Sequence, residues 1–173
     1  MMDHIVRALP LDAETKAAER PVDHKAELKL WLRLLTCCNL IEREVRRRLA
    51  TRFAVTLPRF DLLAQLDKAP DGLTLGETSR RMMVSNANVT SLVERLVADG
   101  LISRRTDPRD RRVSYISLTP GGRDAFAAMA GAHEKWIAEL FHGLDGRDRD
   151  ALMALLGKTK VSVRQATANG AER

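Results

Sequence analysis

The 173-residue sequence lacks the motifs that identify common enzymes and metal sites. It has no glycine-rich phosphate loop, no nucleophile elbow and no His-Glu helix motif. The four histidines are scattered, and no thiolates accompany them at the spacing of a zinc site. We therefore expect neither an enzyme nor a metal centre, and no bound cofactor.

Long apolar runs are also missing. No run approaches the ~18 residues of a membrane-spanning helix. Residues 1–22 contain acidic residues and proline where a secretion signal would have an apolar core. The sequence therefore predicts a cytoplasmic protein with no membrane contact.

Cysteine occurs only at Cys37 and Cys38. Adjacent residues of a helix point about 100° apart, so a disulfide between them would be strained. Reduced, buried thiols are the simpler interpretation. An oxidation-sensing pair is an alternative, because Arg33 lies four residues before Cys37 and could lower a thiol pKa.

Positive charge is plentiful. The net charge of +6 and the isoelectric point near 9.8 favour polyanionic partners. Residues 104–112 hold five arginines and two aspartates. Such a segment should repel itself without a polyanion, and arginine suits phosphates and narrow minor grooves. Its expected DNA contacts are Arg109, Asp110, Arg111 and Arg112.

The spacing of apolar residues predicts a mostly α-helical chain with one small β-hairpin. The chain shows no internal repeat and no low-complexity tract. A capping box at residues 74–77 and a left-handed cap at Gly100 should bound two of the helices. The expected helices cover residues 24–52, 57–68, 75–82, 86–99 and 120–142, with a last helix from Asp145; the expected strands cover residues 101–105 and 113–118.

Two of these helices, 75–82 and 86–99, are joined by a three-residue turn, which is a helix-turn-helix pattern. The second has an apolar stripe and an opposite polar face. Amides there can pair with adenine, and the first residues of such a helix usually reach bases. The predicted DNA contacts on this helix are Ser85, Asn86, Asn88, Thr90, Ser91 and Arg95.

The first helix is unusually long. Over residues 24–52 it would extend for ~40 Å at 1.5 Å per residue. Its apolar stripe exceeds what one small core would cover, so part of it should contact a second subunit. The alternative is a stripe buried wholly within one chain.

Four local patterns, in their order and spacing, resemble the MarR family of transcriptional regulators. They are Leu-Pro-Arg-Phe at 57–60, Leu-x-x-x-Gly-Leu-Ile at 96–102, Asp-Arg-Arg at 110–112 and Leu-Thr-Pro-x-Gly at 118–122. The resemblance covers about residues 24–165 and implies a winged helix-turn-helix homodimer. It also implies that the helix 86–99 enters the major groove, while Arg112, supported by Asp110, enters the minor groove.

The resemblance divides the chain into functional regions. Residues 54–118 would form the winged helix-turn-helix domain. The ranges 23–53 and 119–168 would form the long-helix dimerisation domain. Residues 1–22 would be a flexible arm and residues 169–173 a fraying tail.

The resemblance further implies a small-molecule effector, an aromatic acid or its coenzyme A thioester. The family's usual pocket points to Trp31, Leu34, Cys38, Phe60, Leu63 and Phe126, although aromatic residues at helical spacing more often belong to a plain core. Arg46, one of five arginines between residues 43 and 52, would suit the phosphates of a thioester. Solvation and surface salt bridges are the simpler interpretation of that cluster.

The sequence therefore predicts a dimeric repressor of aromatic catabolism. The effector would release it from a pseudo-palindromic operator on double-stranded DNA. Two alternatives stay open: an oxidation sensor using Cys37 and Cys38, and a winged-helix module that binds proteins.

Overall fold

The computed structural model describes residues 26–108, 110 and 113–170, which form six helices and one three-stranded sheet. The expected class, mostly helical with a small hairpin, is confirmed. Residues 1–25, Arg109, Arg111, Arg112 and residues 171–173 lie outside the described part. The elements are α1 (Ala26–Phe53), α2 (Leu57–Asp67), β1 (Leu73–Thr74), α3 (Leu75–Met82), α4 (Asn86–Ala98), β2 (Ile102–Thr106), β3 (Ser114–Leu118), α5 (Pro120–Leu140) and α6 (Gly146–Gly170).

Two compact units divide the chain, the first ending at Gly131 and the second beginning at Ala132. The first contains everything from α1 to the first half of α5. The second contains the rest of α5 and α6. No helix among the described residues is long and apolar enough to span a bilayer.

The sheet has the order β1-β3-β2, and both pairings are antiparallel. The predicted hairpin is present, with each strand starting one residue later than expected. Strand β1 was not predicted, because two residues carry no alternating pattern. It exists through pairing of Leu73 with Ile116 and of Thr74 with Tyr115.

Glycine is required just before β1. Gly72 has φ +88°, and a Cβ there would lie 2.8 Å from the carbonyl oxygen of Ile116. The missing side chain lets the two backbones approach closely enough to pair.

The core of the first unit lies among α2, α4 and the sheet. Its fully buried side chains are mostly leucine, isoleucine and valine, and each stabilises the fold by about 1.5–3 kcal/mol. On α4 the predicted stripe is buried at Val89, Val93 and Leu96, whereas Val97 is 39% exposed, contrary to expectation. The largest fully buried members are Leu49, Leu62, Leu63, Leu66, Leu96, Ile102 and Ile116.

Helix α3 begins with the predicted capping box. The Glu77 N–H donates to Thr74 Oγ1 at 3.2 Å, and the Thr74 N–H donates to Glu77 Oε2 at 2.8 Å. The backbone and hydroxyl of Thr74 thereby lower the pKa of the Glu77 carboxyl. The cap fixes the entry into the helix-turn-helix.

The apolar stripe of α1 is covered only near its end. Val45 and Leu49 are buried, and Leu34, Leu35 and Ile41 are half-buried, whereas Leu28 and Trp31 are 42% and 57% exposed. Cys37 and Cys38 are both exposed, so the prediction of buried thiols is wrong. The reason is that the described residues leave this stretch of α1 uncovered.

The second unit also exposes apolar side chains. Ala132 and Trp136 are buried on α5, which ends at Leu140, slightly before the predicted residue 142.

Asp145 caps α6, because its Oδ1 accepts from the Asp148 N–H at 2.8 Å. Helix α6 extends from Gly146 to Gly170. The exposed apolar residues of α6 include Met153, Leu155, Leu156, Val161 and Val163.

Candidate nucleic-acid interface

Ser85 caps the start of α4. It has extended backbone angles, and its Oγ accepts from the Asn88 N–H at 3.4 Å. The hydroxyl therefore has a structural role in the free protein. Its predicted contact with DNA stays a prediction.

The polar face of α4 is exposed along one stripe. Asn88, Ser91 and Arg95 lie three and four residues apart, which places them on one side of a helix. Asn86 is also exposed, whereas Thr90 is half-buried and donates its hydroxyl to the Asn86 carbonyl at 2.9 Å. Thus five of the six predicted residues, including both asparagines, are exposed, and only Thr90 is half-buried.

A cavity of about 290 Å³ lies beside this stripe. It joins the first turn of α2, the end of α3 and the polar face of α4. Its lining residues are Pro58, Met82, Val84, Asn88, Ser91, Leu92 and Arg95.

The turn between α3 and α4 is held by two reciprocal bonds. The Val84 N–H donates to the Ser79 carbonyl at 3.2 Å, and the Ser79 hydroxyl donates to the Val84 carbonyl at 2.6 Å. Met83 lies between them in the left-handed region, with φ 56° and ψ 38°. The sequence predicted a turn at these residues but not the left-handed backbone of Met83, because no glycine marks that position.

The hairpin formed by β2 and β3 carries exposed arginines beside α4. Arg104 and Arg105 are exposed, and the Arg105 guanidinium carbon lies 5.6 Å from the centre of the Tyr115 ring. This cation–π contact holds one arginine over the strand without neutralising its charge. The positive surface of β2 is therefore available to an anionic partner.

Aspartates shape the tip of the hairpin. The Asp110 N–H donates to Asp107 Oδ1 at 3.3 Å, and the Val113 N–H donates to the Asp110 carbonyl at 3.0 Å. Asp110 thus closes the turn through its backbone. The predicted contacts at Arg109, Arg111 and Arg112 fall outside the described residues, and so does the support of Arg112 by Asp110.

The predicted effector residues are split between core and surface. The rings of Phe60 and Phe126 pack with centroids 5.6 Å apart, and both are buried, as is Leu63. Trp31 and Cys38 are exposed, and Leu34 is half-buried. The structure brings together the two phenylalanines, and it leaves the α1 members at the surface of this chain.

The arginine cluster at the end of α1 is engaged by glutamates of the same helix. Arg46 Nε lies 3.1 Å from Glu42 Oε1, while Arg47 Nε and Arg48 Nε lie 2.8 and 2.7 Å from oxygens of Glu44. Hydrogen bonds from Arg47 and Arg48 lower the pKa of the Glu44 carboxyl to about 2. These contacts match the simpler interpretation of the cluster as surface salt bridges.

The described residues contain no candidate metal site. No group of three or more His, Cys, Asp or Glu side chains among them could hold an ion.

Known proteins of one family resemble this chain in sequence and in fold. A model of the MarR family matches residues 55–114. The transcriptional activatory protein BadR of Rhodopseudomonas palustris is 30% identical over 118 residues, which are 66% of this chain and 67% of BadR. The match to the family model begins two residues after the end of α1 and ends at the first residue of β3. This part of the chain carries the candidate interface.

Solved structures show the same fold. The crystal structure of a MarR family transcriptional regulator from Silicibacter pomeroyi is 31% identical with a TM-score of 0.68, covering 79% of this chain and 94% of that one. A mutant MarR from E. coli, solved with operator DNA, has a TM-score of 0.68 at 24% identity and covers 80% of this chain and 99% of that one. The second likeness concerns the fold alone.

These relatives are regulators, which agrees with the expectation that the chain is not an enzyme. They give no support to an oxidation sensor or a protein-binding module. The chain belongs to the MarR family of winged-helix transcriptional regulators, which bind DNA.

Proposed function

We propose that the protein is a homodimeric repressor that reads a pseudo-palindromic operator. The α4 helices of two subunits would enter successive major grooves about 34 Å apart, and the hairpin arginines would meet the flanking minor grooves. The observation that carries this proposal is the exposed stripe of Asn88, Ser91 and Arg95, with Asn86 at its start. An amide-bearing helix start beside a cationic hairpin suits base readout combined with phosphate contact.

Selection from a randomised duplex pool tests the operator. The wild-type protein should enrich sequences with two inverted half-sites about one helical turn apart. Arg112→Ala should weaken binding to the selected duplex and reduce the salt slope by about one phosphate equivalent. Enrichment of no sequence over random competitor at moderate salt would overturn the proposal.

The exposed apolar faces of α1 and α6 support the homodimer. Trp31 and Leu155 are 57% and 60% exposed in the single chain, and exposed apolar patches of this kind usually mark interfaces. A second copy of the chain would cover both faces and set the spacing of the two α4 helices. The first and last helices would then form the dimerisation region.

Sedimentation analysis tests the dimer. The wild type should sediment as a dimer, and Leu155→Glu should shift it towards monomer because a charge would be buried. Ala154→Glu, which places the same charge at an exposed position of α6 away from the face that carries Leu155, should leave the dimer intact. A wild type that sediments as a monomer at all concentrations would contradict the proposal.

The proposed effector is a small aromatic acid or its coenzyme A thioester. The buried ring pair of Phe60 and Phe126 supports an aromatic ligand, which would bind where α1, α2 and α5 provide aromatic side chains. A ligand releases DNA only to the extent that it prefers the arrangement that cannot bind DNA. The name of BadR describes an activator, so the direction of regulation is part of the test.

Benzoate, 4-hydroxybenzoate, phenylacetate and their coenzyme A thioesters form a suitable panel. One of them should weaken binding to the selected duplex at least tenfold, a change of about 1.4 kcal/mol. Arg46→Ala should reduce the response to a thioester and spare the response to a free acid. If no compound changes the affinity, the effector class is wrong, and the operator result still stands.

A further inference from the structure

Met83 occupies a backbone conformation that favours glycine. Among the described residues only Ala54 and Met83 combine a side chain with positive φ, at 54° and 56°. The left-handed region brings Cβ close to the following carbonyl oxygen, so a residue other than glycine there costs free energy. A methionine at this position therefore destabilises the folded state relative to a glycine.

The side chain of Met83 gains little free energy from burial in the free protein, because it is 93% exposed. Its neighbours Met82 and Val84 line the cavity beside α4. The bonds between Ser79 and Val84 hold the turn, so Met83 stays directed into solvent. A large apolar side chain that is both strained and exposed is available for a contact that the free chain lacks.

The position of Met83 identifies that contact. It lies two residues before Ser85, the cap of α4, and three before Asn86, so it adjoins the end of α4 that faces bases in the proposed complex. The apolar feature that a major groove offers at its base edges is the 5-methyl group of thymine. Methionine, flexible and polarisable, fits such irregular apolar surfaces.

We propose that Met83 is a specificity-determining residue that packs against a thymine 5-methyl group in each operator half-site. This inference rests on the proposed function. It adds a base preference that the polar face of α4 does not provide. It also explains why the turn carries methionine in place of glycine.

Opposite effects on stability and binding test the role of Met83. Met83→Gly should raise Tm by about 2 °C, because strain is relieved, and weaken binding to the selected duplex about threefold to tenfold. Ala54→Gly is the matched control, since the φ of Ala54 is within 2° of that of Met83. It also lies in a similar turn, where the Val55 N–H donates to the Leu49 carbonyl at 3.4 Å. It should raise Tm by a similar amount and leave DNA affinity unchanged.

Deoxyuridine substitution tests the partner group. Replacing each thymine of the selected duplex with deoxyuridine removes only the methyl group. At one thymine per half-site this change should weaken wild-type binding severalfold and leave the affinity of Met83→Ala unaltered. Met83→Ala removes the thioether and keeps the Cβ, so folding changes little.

The outcomes separate two failures. A wild type that prefers a selected duplex, yet is insensitive to deoxyuridine at every thymine, overturns the Met83 proposal alone. So does Met83→Ala binding as tightly as the wild type, or Ala54→Gly losing as much affinity as Met83→Gly. A wild type with no preferred duplex overturns the proposed function itself.

Discussion

The guanidinium of Arg59 forms an ion pair with the carboxylate of Asp99, although forty residues separate them in the sequence. Arg59 lies in the first turn of α2, and Asp99 is the C-cap residue that follows α4. The pair therefore ties the C-terminal end of α4 to α2. Arg59 is the more enclosed partner, with 20% of its side chain exposed against 46% for Asp99.

Breaking this pair should loosen the end of α4. We expect Asp99→Asn to lower the free energy of unfolding by about 1 kcal/mol, a modest value because Asp99 is half-exposed. Urea unfolding measures the change, and hydrogen exchange should quicken at the last turn of α4. A double-mutant cycle with Arg59→Met isolates the interaction. If Asp99→Asn costs as much in the Arg59→Met background as in the wild type, the pair contributes nothing.

Two adjacent glycines at the start of α5 should behave oppositely. A Cβ on Gly122 would collide with the carbonyl oxygen of Leu101, whereas a Cβ on Gly121 would meet nothing closer than Thr119 Oγ1 at 4.0 Å. Gly122→Ala should therefore destabilise the protein by about 3 kcal/mol. Gly121→Ala should stabilise it by about 0.5–1 kcal/mol, because alanine restricts the unfolded chain.

Thermal and urea unfolding of both variants measure this contrast. Equal effects from the two substitutions would show that the close approach of α5 to Leu101 is not a constraint.

The capping box should make stability depend on pH. Hydrogen bonds from Thr74 lower the pKa of the Glu77 carboxyl below its ordinary value of 4.5. Its ionised form therefore stabilises the fold above that pH, and the contribution is lost as pH falls through the lowered pKa. The stability difference between wild type and Glu77→Gln should be largest near neutral pH and shrink below pH 4.5.

Thr74→Ala is the companion change, because it removes the other half of the box and should cost about 1 kcal/mol. Urea unfolding from neutral to acidic pH provides the measurement. A difference between wild type and Glu77→Gln that grows in acid would contradict the assignment.

Asn88 should determine base preference more than affinity for DNA in general. Its side chain is exposed on the same stripe as Ser91 and Arg95, near the start of α4. Asn88→Ala should cost about 1–3 kcal/mol on the selected duplex and relax the preference at one position per half-site. Binding to random duplex should change little. An equal loss on every sequence would refute a role in base readout.

Much of the fold follows from local patterns. The capping box at Thr74 and Glu77 and the left-handed Gly100 were predicted, and both were found. The asparagines of α4 were also placed correctly on an exposed face. These features depend on residues within about one helical turn of each other, so a short window of sequence contains all the information.

Two of the errors have a different cause. Strand β1 exists only because Leu73 meets Ile116, and Cys37 is exposed only because no other described element covers that stretch of α1. Both depend on neighbours that are distant along the chain. The turn at Met83 was predicted, but its left-handed backbone was not, and this feature is held locally by the bonds between Ser79 and Val84.

The sequence by itself therefore determined the helices, the caps that end them, the helix-turn-helix and the cationic hairpin. Tertiary structure alone decided the formation of strand β1, the pairing of Arg59 with Asp99 and the apolar surfaces that are exposed on α1 and α6. The physical reason is the separation along the chain of the residues that interact. Periodicity and capping are set by bonds between residues three to five positions apart, whereas burial and ion pairing between elements exist only after the chain has brought distant segments together.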